Sequence, residues 1–380
     1  MHLQQLDILH YKNIREASLT FSPKLNCLVG DNGEGKTNVL DAIFFLSFTR
    51  AANHAPDALC VTHGQETMML SGRYNLQGNS EQIACTLQVH HKKILRRGQK
   101  AYRRMSDHIG LLPLIFVSPD DTALVSGPSE DRRRFMDIVI AQYLPTYIPL
   151  LNQYNRALLQ RNTLLRQLQD LQGHGQGKSL GGEEPDASLL ESYEIVMAQT
   201  GEQIFAARQQ FITQLEPLFR QYYQRIAPNE GGASLLYESH CQRGPLLDII
   251  QRDRHKDLAV GYSLHGIHKD DLVMQLDGYP LRREGSQGQT KTYVVALKLA
   301  QYDFLRQACG GKRPLLLLDD LFDKLDAHRV DQIIQVVAQE HFGQIFITDT
   351  NRLHLDRIIA RTDAPHRIFT VRGGEITPAH

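Results

Sequence analysis

Three short stretches carry residue types whose spacing suits one kind of chemistry, the handling of a nucleoside triphosphate. The first is Gly30-Asp31-Asn32-Gly33-Glu34-Gly35-Lys36-Thr37, which fits the phosphate-binding loop G-x-x-x-x-G-K-[ST]. Its glycines let backbone N–H groups turn toward phosphate, and the helix that follows adds a favourable dipole. Lys36 would reach the β- and γ-phosphates, and the Thr37 hydroxyl would ligate Mg²⁺. The second stretch is Pro314-Leu315-Leu316-Leu317-Leu318-Asp319-Asp320. An apolar run ending in paired carboxylates reads as a buried strand that delivers acids to its carboxyl end, where α/β sheets bind ligands. Asp319 suits the Mg²⁺ shell and Asp320 suits the positioning of an attacking water. The third is Ser286-Gln287-Gly288-Gln289 at the start of an apolar-faced helix running from Thr290 to about Ala308. Alone it would be a helix cap; its place ahead of Asp319-Asp320 gives it weight.

These residues need a scaffold. Leu25–Val29 reads as a buried strand entering the loop, and Asn38–Leu46 as a helix leaving it. Ahead of them, 3–21 reads as an antiparallel pair of strands turning near Lys12, Asn13 and Arg15. Further strands are expected at 67–74, 82–89, 111–117, 234–238 and 271–276, with Asp277-Gly278 as a hairpin turn. A last strand is expected at 344–348, ending at Asp349-Thr350-Asn351-Arg352. Ser129 is read as an N-cap, and the pattern from there to about 225 is helical and amphipathic. A Gly-rich loop at 173–185 interrupts it, giving two long antiparallel helices with a loose tip. The fold class is therefore α/β, with a mixed sheet around a P-loop helix, antiparallel strands and an inserted helical arm. The expected division is 1–118 and 226–380 for the head and 119–225 for the arm.

Composition narrows the classes. Lys plus Arg and Asp plus Glu are equal at 42 each, which excludes a histone-like basic protein while leaving room for a local basic patch. One such run exists: Lys92, Lys93, Arg96, Arg97, Lys100, Arg103 and Arg104, with no acid between Glu81 and Asp107. It could neutralise phosphates of a DNA backbone or be a solvated face. The five cysteines show neither metal nor disulfide spacing. With no signal sequence and no apolar run long enough to span a bilayer, the expectation is a cytoplasmic protein without a membrane partner.

The order of the motifs resembles the ATP-binding-cassette family, and the antiparallel entry resembles the heads of the structural-maintenance-of-chromosomes (SMC) and Rad50 class. Closer agreement lies in Ser118-Pro119-Asp120-Asp121, in Gly127-Pro128 with Arg132-Arg133-Arg134-Phe135-Met136-Asp137, and in Gly266-Ile267-His268-Lys269-Asp270-Asp271. These runs are similar to the RecF family of bacterial recombination mediators over essentially the whole chain. The resemblance implies ATP and Mg²⁺ as cofactors, with Gly30 to Thr37 and Asn13 at the nucleotide. It also implies a head-to-head homodimer in which Ser286 and Gly288 of one subunit touch the γ-phosphate held by the other. Lys36, Asp319, Asp320 and Ser286 then carry a slow, DNA-dependent ATP hydrolysis that releases the dimer.

In that family, DNA, with single-strand/duplex junctions preferred, and RecR are the partners, with RecO and RecA acting downstream in gap repair, replication and the SOS response. Lys92, Lys93, Arg96, Arg97, Arg103 and Arg104 are the candidate DNA contacts, joined by the Arg132–Arg134 cluster, which could equally hold the arm. The chain departs from the family pattern at Ile267 and Lys269, at Asp323-Lys324, where Lys324 replaces the usual Glu, and after the last strand. There Asp349 would repel a γ-phosphate, so Thr348 or Thr350 is expected to face the nucleotide. The competing readings are the ATPase subunit of a transporter, a P-loop-headed nuclease, and a structural dimer without turnover.

Overall fold

The computed structural model describes residues 1–173, 188–322, 325–338, 341–362 and 364–379. The chain divides into two compact units. The first comprises Met1–Thr122, Leu218–Gly231 and Gly285–His380; the second comprises Ala123–Pro217 and Gly232–Glu284.

The first unit holds two six-stranded sheets. One contains β1 (His2–Tyr11), β2 (Ile14–Thr20), β4 (Thr67–Leu76), β5 (Asn79–Gln88), β6 (Ile94–Arg97) and β7 (Lys100–Ala101), all antiparallel, in the order β2-β1-β4-β5-β6-β7. The other contains β3 (Leu25–Val29), β8 (Leu114–Val117), β12 (Leu315–Asp319), β13 (Ile345–Asp349), β14 (His366–Arg372) and β15 (Glu375–Ala379), in the order β15-β14-β3-β13-β12-β8. Only β15 runs antiparallel to its neighbour. Every residue of β12 and β13 is buried, as expected for parallel strands covered on both faces.

The P-loop helix Lys36–Phe48 is buried over nearly its whole length, because it packs against both sheets. Tyr11 of β1 meets Phe45 edge-on, and Phe44 meets Phe116 of β8, so the helix presents aromatic side chains to each side. A buried glutamine stitches the sheets. Gln344 accepts the Leu3 N–H at 2.7 Å and donates to the carbonyls of Leu3 (2.8 Å) and Ser22 (2.7 Å). Each polar atom of that side chain is thus satisfied where water cannot reach. The helix Gln287–Ala308 packs on β8, tied down by Lys298, which donates to the Phe116 carbonyl (2.9 Å) and pairs with Asp121 (2.6 Å).

The second unit is riveted by ion pairs, of which those of Arg161 with Glu194 and Asp257 and of Arg208 with Asp270 are fully buried. It contains the helices Ser129–Tyr143 and Tyr147–Gly173, most of the helix Leu189–Ile226, and a sheet of β9 (Ala233–Glu238), β10 (Asp271–Leu276) and β11 (Tyr279–Pro280) in the order β11-β10-β9. Arg132 grips Asp271 with two parallel bonds of 2.6 and 3.0 Å. Arg133 donates to the Asp270 carbonyl at 2.7 Å, and Arg134 pairs with Glu130 and Asp131 along its own helix. Arg208, with 1% of its surface exposed, lies between Asp137 and Asp270, and the Tyr237 hydroxyl donates to Asp270 at 2.6 Å. Arg161 does the same between Glu194 and Asp257.

These pairings account for the differences from the sequence reading. Residues 232–284 fall in the second unit rather than in the head, because Arg132, Arg133 and Arg208 bind Asp270 and Asp271. Ser129 is the first helical residue and not the cap. Pro128 holds the cap position, and the Ser129 hydroxyl accepts from Arg133 instead. The loop read at 173–185 lies outside the described residues beyond Gly173, which ends its helix. The strand at 344–348 is not the last, since β14 and β15 follow it. Among the described residues no helix is long and apolar enough to cross a membrane.

Candidate nucleotide site

β3 ends at Val29 and the P-loop helix begins at Lys36, so the loop between them sits at the carboxyl edge of the parallel strands. Gly35 occupies the N-cap position with φ 111°, a left-handed conformation that glycine adopts without strain. Lys36 is 6% exposed, and its ammonium is held by the carbonyls of Gly30 (2.7 Å) and Asp31 (2.8 Å). The loop thereby keeps a cation at the mouth of a pocket of about 180 Å³ lined by Asn32, Gly33, Gly35, Lys36, Thr37, Asn38, Asp319 and Asp320.

Parallel pairing of β12 with β13 places Asp319 level with Thr348. The Thr37 hydroxyl donates to the Asp319 carboxylate, 2.9 Å from both oxygens, and the Thr348 hydroxyl donates to Oδ1 at 2.6 Å. Burial pushes the Asp319 carboxyl above the usual carboxylate range, while the two hydroxyls and Lys36 pull it back. Asp320 follows in a left-handed conformation, φ 46°, which costs a non-glycine residue about 1–2 kcal/mol. Its N–H is held by Thr348 Oγ1 at 3.0 Å. Thr348 therefore faces the Asp319 carboxylate and the Asp320 backbone. Asp349, 4% exposed, is turned to the Asn351 N–H (2.7 Å) and to His354 Nδ1 (2.9 Å).

The rim is built from both ends of the chain. Asn13 Nδ2 donates to the Glu34 carbonyl at 3.1 Å and its Oδ1 accepts from Asn38 at 2.7 Å. On the other side, the β14–β15 turn donates the Gly374 N–H to that same carbonyl at 2.9 Å and the Gly373 N–H to the Glu34 carboxylate. Lys12 does not join the rim: it pairs with Asp41, which is also bound by the Tyr11 hydroxyl at 2.6 Å. The signal for Glu34 as a clamp lies in its long-range pairing with Gly373 and Gly374, so motif spacing does not expose it.

Ser286 caps the helix Gln287–Ala308 through a reciprocal box, accepting the Gln289 N–H at 3.2 Å while Gln289 Oε1 accepts the Ser286 N–H at 3.0 Å. Gly288 lies in the first turn behind it. Asp323 and Lys324 lie outside the described residues, whereas Asp326 caps the next helix, Ala327–Val337.

The basic run places Arg96 and Arg97 in β6 and Lys100 in β7 at the edge of the antiparallel sheet, with Lys92, Lys93, Arg103 and Arg104 flanking those strands. Two of its candidates are engaged: Lys93 with Asp57 and the Thr49 carbonyl, Arg97 with Glu81. Lys92, Arg96, Lys100, Arg103 and Arg104 are exposed and form no ion pair with a described residue. Arg132 and Arg133 are bound inside the second unit, which removes them from the candidate DNA surface.

A parallel sheet with a P-loop, an acidic strand end and a capped Ser-x-Gly-Gln helix defines a P-loop head of the RecF/RecN/SMC class. The family model for the RecF/RecN/SMC N terminal domain matches residues 2–377. The chain is 48% identical over 378 residues to the DNA replication and repair protein RecF of Phocaeicola vulgatus, covering 99% of this chain and 98% of that one. It is 44% identical over 378 residues to the RecF of Porphyromonas gingivalis, covering 99% and 100%. This chain belongs to the RecF family. Among solved structures it is similar to the recombination mediator protein RecF-ATP in the RecFOR pathway, with TM-score 0.84 and 25% identity over 100% of this chain and 98% of that one. A Smc head from Pyrococcus furiosus, bound to the C-terminal domain of ScpA, shares the fold at TM-score 0.58 and 15% identity, covering 100% and 96%.

Proposed function

We propose that this chain is an ATP-binding recombination mediator of the RecFOR pathway whose nucleotide controls its dimerisation and grip on DNA. The observation that carries the reading is the buried Asp319 carboxylate, held among the described residues by the hydroxyls of Thr37 and Thr348 beside the P-loop lysine. A hydroxyl next to a carboxylate is the protein's share of a Mg²⁺ shell, the remaining positions being filled by phosphate and water. Thr37 and Asp319 would hold Mg²⁺, which when bound would supply positive charge against the phosphates. Lys36 would draw the β- and γ-phosphates into the loop, Asp320 would orient the attacking water, and Thr348 keeps the two acids in register. Relatives named as replication and repair proteins match the chain end to end, so the transporter reading is set aside.

Ser286 and Gly288 would meet the γ-phosphate held by a second copy, making ATP part of the dimer seam. Mass in solution tests this. The native chain should double its mass with Mg-ATP, and Lys36→Met and Ser286→Arg should not; a native chain that stays monomeric with Mg-ATP removes the reading. The DNA partner, at single-strand/duplex junctions, would be gripped by the exposed cations of the β6–β7 edge, with RecR, RecO and RecA acting beside it. Replacing Arg96, Arg103 and Arg104 with alanine should flatten the salt dependence of DNA binding by about one unit of slope per lost phosphate contact. Arg97→Ala should change it little, since Glu81 already holds that charge.

A further inference from the structure

Arg329 stands where the Ser286 face, the Asp326 cap and the Leu218–Gly231 segment converge. Its backbone N–H is accepted by Asp326 Oδ1 at 2.9 Å. Its guanidinium is held on two edges, Nη2 by the Glu230 carboxylate and Nε by Asp326 at 3.4 Å. The third edge, Nη1, donates to no described residue and lies 2.3 Å from where a Cβ on Gly288 would stand. Gly288 sits within a helix, so its backbone does not call for glycine; the Arg329 guanidinium occupies the space a Cβ would take. A fixed, charged donor thus rests against the residue whose amide the proposed reading aims at a phosphate.

We propose that Arg329 contacts the terminal phosphate of ATP held by a second copy of the chain, so that the Ser286 face tells triphosphate from diphosphate. This rests on the ATP-bridged dimer proposed above. Glu230 and Asp326 keep the planar fork pre-aimed, and Nη1 adds a charge-assisted bond that a shorter nucleotide cannot receive. Gly288 is the gap through which the guanidinium reaches its neighbour.

The test measures two quantities on the full chain: affinity of the monomer for a fluorescent ATP analogue, and the mass with Mg-ATP or Mg-ADP by light scattering. Arg329→Gln should leave monomer affinity within about twofold and weaken ATP-dependent dimerisation by roughly tenfold or more, the worth of a charged hydrogen bond. Arg329→Lys should recover part of the loss. Gly288→Ala pushes Nη1 aside, so it should match Arg329→Gln, and the double variant should be no worse than either. Glu230→Gln separates contact from strut: it leaves the guanidinium in place with less counter-charge, and dimerisation should hold or tighten.

Equal losses in Glu230→Gln and Arg329→Gln would make Arg329 a strut and overturn the proposal. Undiminished dimerisation of Arg329→Gln would overturn it while the native dimer kept the ATP bridge intact. A native chain that never dimerises would remove the bridge and this inference together.

Discussion

Two sets of buried carboxylates in this chain are treated in opposite ways. In the second unit the buried Asp270, Glu194 and Asp257 each meet a guanidinium. In the head, Asp319 is as deeply placed, yet its hydrogen bonds come from two hydroxyls. Burial raises the carboxyl of both Asp270 and Asp319, but Asp270 has Arg208 to answer it while Asp319 has only the more distant charge of Lys36. A buried anion fully matched by its own chain holds a fold together. One matched by neutral groups keeps its charge for a cation that arrives from outside.

The contrast breaks first, and furthest, in the second unit. Arg208→Ala leaves Asp137 and Asp270 without their guanidinium and should cost about 3–5 kcal/mol, read as a lower urea midpoint. His268 gives nearly as large an effect through pH. It is buried between the Tyr154 hydroxyl (2.7 Å) and the Ser263 carbonyl (3.1 Å), and burial lowers its pKa from 6.5 to about 4. The unfolded chain then binds the extra proton between those values, so stability is present above pH 6.5 and falls as pH drops toward 4, by about 3 kcal/mol. His268→Gln should flatten that slope; an unchanged slope would mean the imidazole is not held neutral.

Thr348→Val, which strips one hydroxyl from Asp319 and orphans the Asp320 N–H, should cost about 2 kcal/mol. Asp319→Asn should be the mildest for the fold, within about 1 kcal/mol, since no guanidinium loses its partner. The same variant should lose the Mg²⁺-dependent part of ATP affinity, and an Asp319→Asn chain that bound Mg-ATP normally would erase the distinction drawn here. A raised Asp319 carboxyl also means that native Mg-ATP affinity should begin to fall, on acidification, at a higher pH than an ordinary aspartate would give.

Sequence alone reveals the head because its chemistry is contiguous: eight residues of P-loop, a leucine run ending in Asp319-Asp320, and Ser286 three residues before Gln289. The second unit is opaque because its logic is a pairing between distant residues. Arg132 and Asp271 are far apart in the chain and adjacent in space, so motif spacing gives no sign that 232–284 packs with the helices of the second unit. The basic run shows the same limit on a smaller scale. Glu81 and Asp57 lie outside it, yet they engage Arg97 and Lys93. The β14–β15 hairpin did carry a local signal, alternating residues around Gly373-Gly374, of the kind that marks a tight turn.

The position of β3 has a consequence for how the chain is made. Its neighbours on either side are β13 and β14, and the loop it feeds is clamped by the turn at Gly373-Gly374. All of these leave the ribosome hundreds of residues after β3 does. At a synthesis rate of ~5–20 residues per second, the apolar strand Leu25–Val29 waits on the order of 20–60 s for a partner. The nucleotide loop thus depends on strands and a turn made hundreds of residues after it.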